Sequence, residues 1–323
     1  MSVIEQAAKK LEELGRVGIK SKERFGRGGT NGDSGPTSSA GRDGESGAQE
    51  PAAVASLHGQ LGAGAGVARV APTRPKEFEI DMARLAQMGF ITPSDPKSQI
   101  AEEFRDIKRP ILRNAAGKGA APILDGNLIM ITSSLPGEGK TTTSVNLAMS
   151  IALELDYTVL LVDADVAKPS IPSIFGLPEN LGLLDLLLDD ELEVSDVLIK
   201  TNVANLSILP SGTPQPRASE LLSSEAMNRL LREMSSRYSD RILIFDSPPL
   251  LPSNESRTLA ASMGQVIVVV AAEQTVCAEV KQSLAAIEMC PVKLLMLNKS
   301  RLAPGSVYGS YGGYGSNGYG HSK

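Results

Sequence analysis

The sequence predicts an α/β domain over residues 78–302, built on a doubly wound and mostly parallel sheet. From Asn127 onward, short apolar runs alternate with longer stretches of helical periodicity. The apolar runs are nearly continuous Ile, Val and Leu. Such runs are typical of strands that are buried on both faces, as in a parallel sheet covered by helices. The alternation of strands and helices along the chain indicates the doubly wound arrangement.

The individual elements follow from the length and composition of each run. We expect strands at residues 128–132, 158–162, 206–209, 242–245, 266–270 and 294–297. We expect helices at residues 140–153, 183–188, 225–237, 254–261 and 278–289. Ahead of these elements, residues 81–88 predict one or two helical turns.

Residues 97–114 predict a longer helix before the first of these strands. Its apolar stripe consists of Ile100, Phe104, Ile107 and Ile111. Pro110 is expected to kink or break this helix, because proline lacks the backbone N–H of a helical turn. Three polar residues recur at three-residue spacing and predict a common strip on the helix surface; they are Glu102, Arg105 and Lys108.

Three segments lie outside the predicted domain. Residues 1–16 predict a short amphipathic helix, for which docking on a partner and no role at all are both open. Residues 17–77 are rich in Gly, Ser, Ala and Pro without periodicity, and predict a flexible linker. Residues 303–323 contain mainly Gly, Ser and Tyr. They cannot bury enough apolar surface to offset their ordering entropy, so we expect a mobile tail.

Composition excludes several classes of function. The net charge of −5 and the pI of about 5.3 argue against electrostatic binding of nucleic acid by the whole molecule. The two cysteines, Cys277 and Cys290, lack metal-ligand spacing and are expected to be reduced thiols. No apolar run approaches the roughly 20 residues that span a bilayer, and the start of the chain lacks a signal-peptide pattern. The chain is therefore expected to be cytoplasmic, and to reach a membrane only through a partner.

A phosphate-binding loop is predicted between the 128–132 strand and the 140–153 helix. The run from Ser133 to Thr141 reads Ser-Ser-Leu-Pro-Gly-Glu-Gly-Lys-Thr. Its glycines allow backbone N–H groups to turn inward around phosphate oxygens, and the helix N-terminus adds its dipole. Lys140 is expected to reach the β- and γ-phosphates, and the Thr141 hydroxyl to bind Mg²⁺. Phosphate-binding candidates are therefore Pro136, Gly137, Glu138, Gly139, Lys140, Thr141 and Thr142.

Carboxylates follow two more of the predicted strands. Asp163 and Asp165 leave the end of the 158–162 strand, where one can help to hold Mg²⁺ and the other can accept a proton from a hydroxyl. Asp246 ends the run Leu-Ile-Phe-Asp and is followed by Ser-Pro-Pro, which is the usual form of a Walker B strand that holds the Mg²⁺ shell. Either pattern alone is also typical of a solvated turn; their order and their positions at strand ends favour a nucleotide site.

These motifs together resemble the bacterial tyrosine kinases, a P-loop family with a MinD-like fold. The resemblance rests on Ser-x-Pro-Gly-x-Gly-Lys, Asp-x-Asp and Asp-Ser-Pro-Pro, followed by a C-terminal tyrosine cluster, and covers roughly residues 79–323. The N-terminal helix, the linker and the segment 103–110 resemble the autokinases of exosortase-type exopolysaccharide systems. One departure is Ala167, where relatives often have a basic residue; Lys168 follows it, so a phosphate contact is displaced or absent.

The resemblance implies an ATP- and Mg²⁺-dependent protein-tyrosine autokinase. It implies Lys140, Asp163 and Asp165 as catalytic residues, with Asp163 as the base or orienter of the phenol. It implies Thr141, Asp163 and Asp246 as metal ligands. Asn298 is expected at the adenine edge or, equally, in a simple turn. The phosphate acceptors are expected to be Tyr308, Tyr311, Tyr314 and Tyr319, although a sticky low-complexity segment is the alternative for this tail.

The resemblance also implies partners. It implies a ring-shaped homo-oligomer built through Glu102, Arg105 and Lys108, in which each tail is phosphorylated by a neighbour. It implies a separate membrane-embedded co-polymerase that activates the kinase at the inner membrane, and a tyrosine phosphatase. Two other functions remain open. One is a MinD/ParA-like ATPase switch, although Leu135 stands where such proteins usually carry a signature lysine; the other is a non-catalytic scaffold of a polysaccharide export complex.

Overall fold

The computed structural model describes residues 77–237 and 240–300. The predictions for residues 1–16, for the linker as far as residue 76 and for the tail at 303–323 lie outside the described residues. Within the described part, no helix combines the length and apolar character needed to cross a membrane. Its two cysteines are free thiols, with Cys277 exposed and Cys290 buried.

Strands and helices alternate over the described residues. The strands are β1 (Glu77–Phe78), β2 (Leu128–Ser133), β3 (Thr158–Asp163), β4 (Ile199–Thr201), β5 (Leu206–Leu209), β6 (Arg241–Asp246), β7 (Gln265–Ala271) and β8 (Val292–Asn298). The helices are α1 (Met82–Gln87), α2 (Gln99–Ala115), α3 (Lys140–Ala152), α4 (Ile171–Phe175), α5 (Leu183–Leu188), α6 (Val194–Val197), α7 (Ala218–Leu222), α8 (Glu225–Arg237), α9 (Asn254–Ala261) and α10 (Cys277–Ala286).

The described strands form one sheet in the order β1-β4-β5-β3-β6-β2-β7-β8. The six strands from β5 to β8 in this order are parallel, whereas β4 pairs antiparallel with β5 and carries β1 beside it. The phosphate-loop strand β2 lies between β6 and β7, and β3 lies on the far side of β6. The carboxyl ends of β2, β3 and β6 therefore meet at the centre of one edge of the sheet.

The doubly wound α/β prediction is confirmed, and all six predicted strands are present to within two residues at each end. The helices expected at 183–188, 225–237 and 254–261 have those bounds, while α10 ends three residues earlier than expected. Five elements were not predicted, because segments of two to five residues are too short to show a period; they are β1, β4, α4, α6 and α7. Glu77, which was expected in the linker, belongs to β1.

Both faces of the sheet are covered, as the apolar strands predict. Alternate residues of each central strand point to opposite sides. Ile129, Ile131 and their equivalents pack against helices α1 to α3, while Leu128, Met130 and their equivalents pack against α5 and α7 to α9. This double burial fixes the register of the strands and hence the positions of the residues that follow them.

Pro110 was expected to kink or break α2, and the helix is not broken at this residue. The helix continues from Gln99 to Ala115, with Pro110 inside it. The proline is exposed, as is Asp106, whose carbonyl loses its helical partner. Water can satisfy a carbonyl on this face, and the buried stripe of Phe104 and Ile111 keeps the helix on the core.

Lys108 does not lie on the predicted surface strip. Glu102 and Arg105 are exposed on α2, but Lys108 is only 6% exposed. Its ammonium donates to the backbone oxygen of Ser150 at 2.6 Å and pairs with Oε1 of Glu154 at 2.6 Å. The three-residue spacing predicted Lys108 on the strip, but its side chain extends to the C-terminal end of α3. The unpaired carbonyl groups of a helix C-terminus favour a cation.

Candidate functional site

The phosphate-loop residues connect β2 to the N-terminus of α3. Gly137 and Gly139 have φ values of 84° and 101°, in the region that favours glycine. A Cβ on Gly139 would lie 2.0 Å from the side-chain nitrogen of Asn298, so this glycine is required by close packing as well as by its backbone. Lys140 is the first residue of α3, which places the loop at the positive end of a 13-residue helix.

Thr141 and Asp246 are brought together across the chain. The Thr141 hydroxyl donates to Oδ2 of Asp246 at 2.7 Å, and Ser144, one turn along α3, donates to Oδ1 at 2.9 Å. Asp246 ends β6 and is fully buried. The two hydroxyls therefore orient the carboxylate toward the start of α3, where the predicted magnesium ligands lie.

Lys140 and Asp165 form a close ion pair. The lysine Nζ lies 2.6 Å from Oδ2 of Asp165, and both side chains are largely buried. The other carboxylate oxygen of Asp165 accepts the backbone N–H of Lys168 at 3.3 Å. An ion pair of this kind holds a flexible lysine in one place and keeps its ammonium largely out of solvent.

Asp163 stands beside Asp246 on the neighbouring strand. The two residues are register partners where β3 and β6 run parallel. Oδ2 of Asp163 accepts backbone N–H groups from Ser170 and Ile171, each at 3.0 Å, at the start of α4. Its other oxygen, Oδ1, is buried and has no hydrogen-bond partner among the described residues. The lone pairs of Oδ1 are therefore not engaged by any described residue of the protein.

Burial changes the protonation of both carboxylates. Desolvation, reinforced by the charge of Asp246, raises the pKa of Asp163 to about 7. Desolvation also raises the pKa of Asp246 to about 6, although the nearby charge of Lys140 and the hydrogen bond from Thr141 act in the opposite direction. A cation placed between these oxygens would favour the ionised form of both groups.

Hydrogen bonds to the buried carboxylate of Glu138 hold the phosphate loop in place. This residue is 3% exposed, and its carboxylate accepts the N–H of Leu135 at 2.6 Å. The same carboxylate accepts the hydroxyl of Thr275 and, at 3.4 Å, the N–H of Ala271. Asn298, at the end of β8, donates its side-chain amide to the backbone oxygen of Glu138 at 2.8 Å. The loop is therefore held by the ends of β7 and β8.

The structure brings most of the predicted site residues together. Pro136 and Thr142 are exposed at the entrance and at the first turn of α3. Glu102 and Arg105 lie on α2, outside this group of contacts. The four tail tyrosines lie outside the described residues. Four contributors were not predicted: Ser144, Ser170, Thr275 and Lys299. Of these residues, only Ser144 could have been predicted from the sequence, because its spacing from Thr141 puts both hydroxyls on one face of the helix.

The arrangement has two chemical capacities. Inward-facing N–H groups, the helix dipole and Lys140 form a site for a polyphosphate. Thr141, Asp163 and Asp246 supply oxygen donors of the kind that Mg²⁺ uses together with substrate phosphates and water. Within residues 77–237 and 240–300, no three acidic, His or Cys side chains are grouped as an all-protein metal site.

Comparisons with known proteins agree with this chemistry. The family model for the AAA domain matches residues 126–298. The chain is 33% identical over 228 residues to tyrosine-protein kinase YwqD of Bacillus subtilis, which covers 70% of this chain and 92% of the relative. It is 28% identical over 223 residues to tyrosine-protein kinase CpsD of Streptococcus agalactiae, which covers 68% of this chain and 94% of the relative.

The fold matches a solved structure of the same group. The chimerical protein CapA2B2 aligns with a TM-score of 0.54 and 32% identity, covering 67% of this chain and 92% of that chain. The sequence relatives, the AAA-domain match and this structural neighbour agree with one another. The chain belongs to the bacterial tyrosine-protein kinases, a family of P-loop enzymes.

Proposed function

We propose that this chain transfers the γ-phosphoryl group of ATP to tyrosine residues of its own C-terminal segment, and so regulates the synthesis or export of an exopolysaccharide. The observation that carries the proposal is the meeting of Lys140, Thr141, Asp163 and Asp246 at the ends of adjacent parallel strands. Such an arrangement supplies the parts that phosphoryl transfer requires, which are phosphate binding, charge neutralisation and a proton acceptor.

ATP is proposed to bind with its phosphates on the loop from Pro136 to Thr142. The backbone N–H groups of this loop and the N-terminus of α3 bind the phosphate oxygens. Lys140 neutralises charge that develops on the transferred group, and Asp165 keeps the lysine in position. Asn298 is proposed to reach the adenine edge through its side-chain oxygen, since its amide nitrogen already binds the loop.

Mg²⁺ is proposed as the cofactor because the available donors fit it. Thr141, Asp246 and the unpartnered Oδ1 of Asp163 are hard oxygen ligands next to the phosphate loop. When bound, the metal would neutralise negative charge on the phosphates. Thr141 and Asp246 would hold it, with Asp163 contributing directly or through water.

Asp163 is proposed to accept the proton of the attacking phenol, or to orient it. A free tyrosine has a pKa near 10 and is mostly protonated at neutral pH. The phenol oxygen forms a bond to the γ-phosphorus as the bond to the β-phosphate oxygen breaks and ADP leaves, while the phenol proton passes to Asp163. Asp163 accepts this proton in its ionised form, which a cation bound beside it would favour.

The C-terminal tyrosines are proposed as acceptors because of where β8 ends. Asn298, its last residue, contacts the phosphate loop. Tyr308 follows ten residues later, and ten extended residues span roughly 33–36 Å at most. The tail therefore starts beside the site and is long enough to enter it or that of a neighbour. The family resemblance favours the neighbour, in a ring-shaped homo-oligomer.

Assembly and location are proposed from the same resemblance. Glu102 and Arg105 are exposed on α2 and are available for contacts between subunits, whereas Lys108 is engaged within its own chain. The activating partner would be a separate membrane-embedded co-polymerase, which would bring the chain to the inner membrane. A tyrosine phosphatase would reverse the reaction.

The test is mass spectrometry of the intact chain and its peptides after incubation with Mg²⁺-ATP in the presence of the activating partner. We expect mass steps of one phosphoryl group on Tyr308, Tyr311, Tyr314 or Tyr319, absent from Lys140→Met and from a chain truncated after Leu302. Lys281→Met, which changes an exposed lysine of α10, is the matched control and should be phosphorylated normally. ATP hydrolysis with an unmodified tail would favour the ATPase switch, and no turnover would favour the scaffold.

A further inference from the structure

Two carbonyl groups of the phosphate loop are bound by the residues that end β8. A loop that turns its N–H groups inward must turn carbonyl groups outward, and each of these needs a donor. The carbonyl of Glu138 accepts the side-chain amide of Asn298 at 2.8 Å. The carbonyl of Gly137 accepts the ammonium of Lys299 at 2.6 Å. The second contact has no role in the mechanism given above.

The backbone at Lys299 is unusual for a lysine. Its φ of 59° lies in the left-handed region, which costs most residues about 1–2 kcal/mol. The residue is also exposed, so packing of its side chain does not account for this conformation. The chain bends at Lys299, directly after β8. The lysine side chain reaches back from there to the carbonyl of Gly137 in the phosphate loop.

A cation on this carbonyl affects the peptide that joins Gly137 to Glu138. A charged donor makes a shorter and stronger hydrogen bond than a neutral one. It also polarises the peptide, so that the N–H of Glu138 becomes a better donor. A Cβ built on Gly137 meets nothing within 4 Å, which means that this part of the loop is open to a ligand.

We propose that Lys299 is a positioning residue of the phosphate site. Its ammonium fixes and polarises the Gly137–Glu138 peptide, so that the N–H of Glu138 points to the phosphate chain, and the lysine thereby sets affinity for the polyphosphate part of the nucleotide. The inference rests on the proposed nucleotide site. It assigns a role to the residue from which the C-terminal segment leaves the domain.

The test compares binding of two ligands to four full-length chains. The chains are the unmodified protein, Lys299→Met, Lys299→Arg and the control Lys281→Met. Mg²⁺-ATP and Mg²⁺-triphosphate each displace a fluorescent ATP analogue. Because a charge-assisted hydrogen bond is lost, Lys299→Met should raise Kd about tenfold for both ligands. Lys299→Arg should stay within about threefold of the unmodified chain, and Lys281→Met should match it.

Thermal unfolding of the same chains separates positioning from folding. Since Lys299 is exposed, Tm of Lys299→Met should stay within about 2 °C of the unmodified protein. Three results would overturn the inference: equal affinities in Lys299→Met, a loss confined to ATP, or a loss that arginine does not restore. If the unmodified chain binds neither ligand, the proposed function itself fails; if it binds both and Lys299→Met matches it, only this inference fails.

Discussion

The carboxylates of Asp163 and Asp246 lie side by side in the interior. Burial of the two groups lowers the folding stability of the ligand-free protein. In the folded chain the pKa of Asp163 is raised to about 7, whereas the ordinary value is 3.8. Below about pH 4 the group is protonated in both the folded and the unfolded chain. As pH rises from about 4 to 7, the unfolded chain releases the proton first, so stability falls across this window and stays low above it.

Replacing Asp163 by asparagine should remove that cost. In metal-free buffer at pH 8, Asp163→Asn should be more stable than the unmodified protein by on the order of 2–4 kcal/mol, since a shift of about three units corresponds to roughly 4 kcal/mol before relaxation. The difference should shrink toward pH 5. Thermal unfolding at both pH values measures it, with Asp156→Asn, an exposed carboxylate, as the control. An equal difference at pH 5 and pH 8 would contradict this explanation.

At the scale of elements, α2 and α3 are joined by Lys108. Its ammonium binds the Ser150 carbonyl near the end of α3 and the Glu154 carboxylate just beyond it. The opposite end of α3 carries Lys140 and Thr141. Lys108 therefore links α2, which carries the exposed Glu102 and Arg105, to α3, which begins at the phosphate loop.

Lys108→Met should lower the free energy of unfolding by about 2 kcal/mol. The substitution keeps the buried stem but leaves the Ser150 carbonyl without its charged donor; because Glu154 is 44% exposed on its side chain, water compensates part of the lost ion pair. Urea denaturation measures the change, with Glu102→Gln on the exposed face as the control, expected within about 0.5 kcal/mol. If the two variants were equally stable, the contact would not be a structural one.

At the scale of the whole molecule, phosphorylation would change the charge of the chain greatly. The unmodified net charge is −5. Four phosphotyrosines would add roughly −6 to −8, more than the charge already present. Adjacent tails that carry such charge in a ring would repel each other, particularly at low salt.

The phosphorylated protein should therefore have a lower mass in solution than the unphosphorylated one. Light scattering coupled to size-exclusion chromatography measures this before and after incubation with Mg²⁺-ATP. A chain with phenylalanine at Tyr308, Tyr311, Tyr314 and Tyr319 is the control and should keep its assembled mass. Equal masses of the phosphorylated and unphosphorylated chains would refute the proposed cycle of assembly and dissociation.

The class of fold, the main elements and the motifs of the site could be predicted from local patterns in the sequence. Helix α8 and strand β5 have the bounds that their local patterns predict, because periodicity and composition act over a few neighbouring residues. The same holds for the loop from Ser133 to Thr141, whose chemistry lies in nine consecutive positions. Because the predicted strands are parallel, their carboxyl ends are expected at the same edge of the sheet.

The pairing of side chains, in contrast, depends on the tertiary structure. Lys140 contacts Asp165 25 residues later, Thr141 contacts Asp246 105 residues later, and Lys299 reaches the loop across 162 residues. Such contacts depend on which strands are neighbours and on how each side chain turns, and local spacing contains neither. For the same reason the spacing of Glu102, Arg105 and Lys108 predicted one surface, while the packing of α2 on α3 buried the third residue.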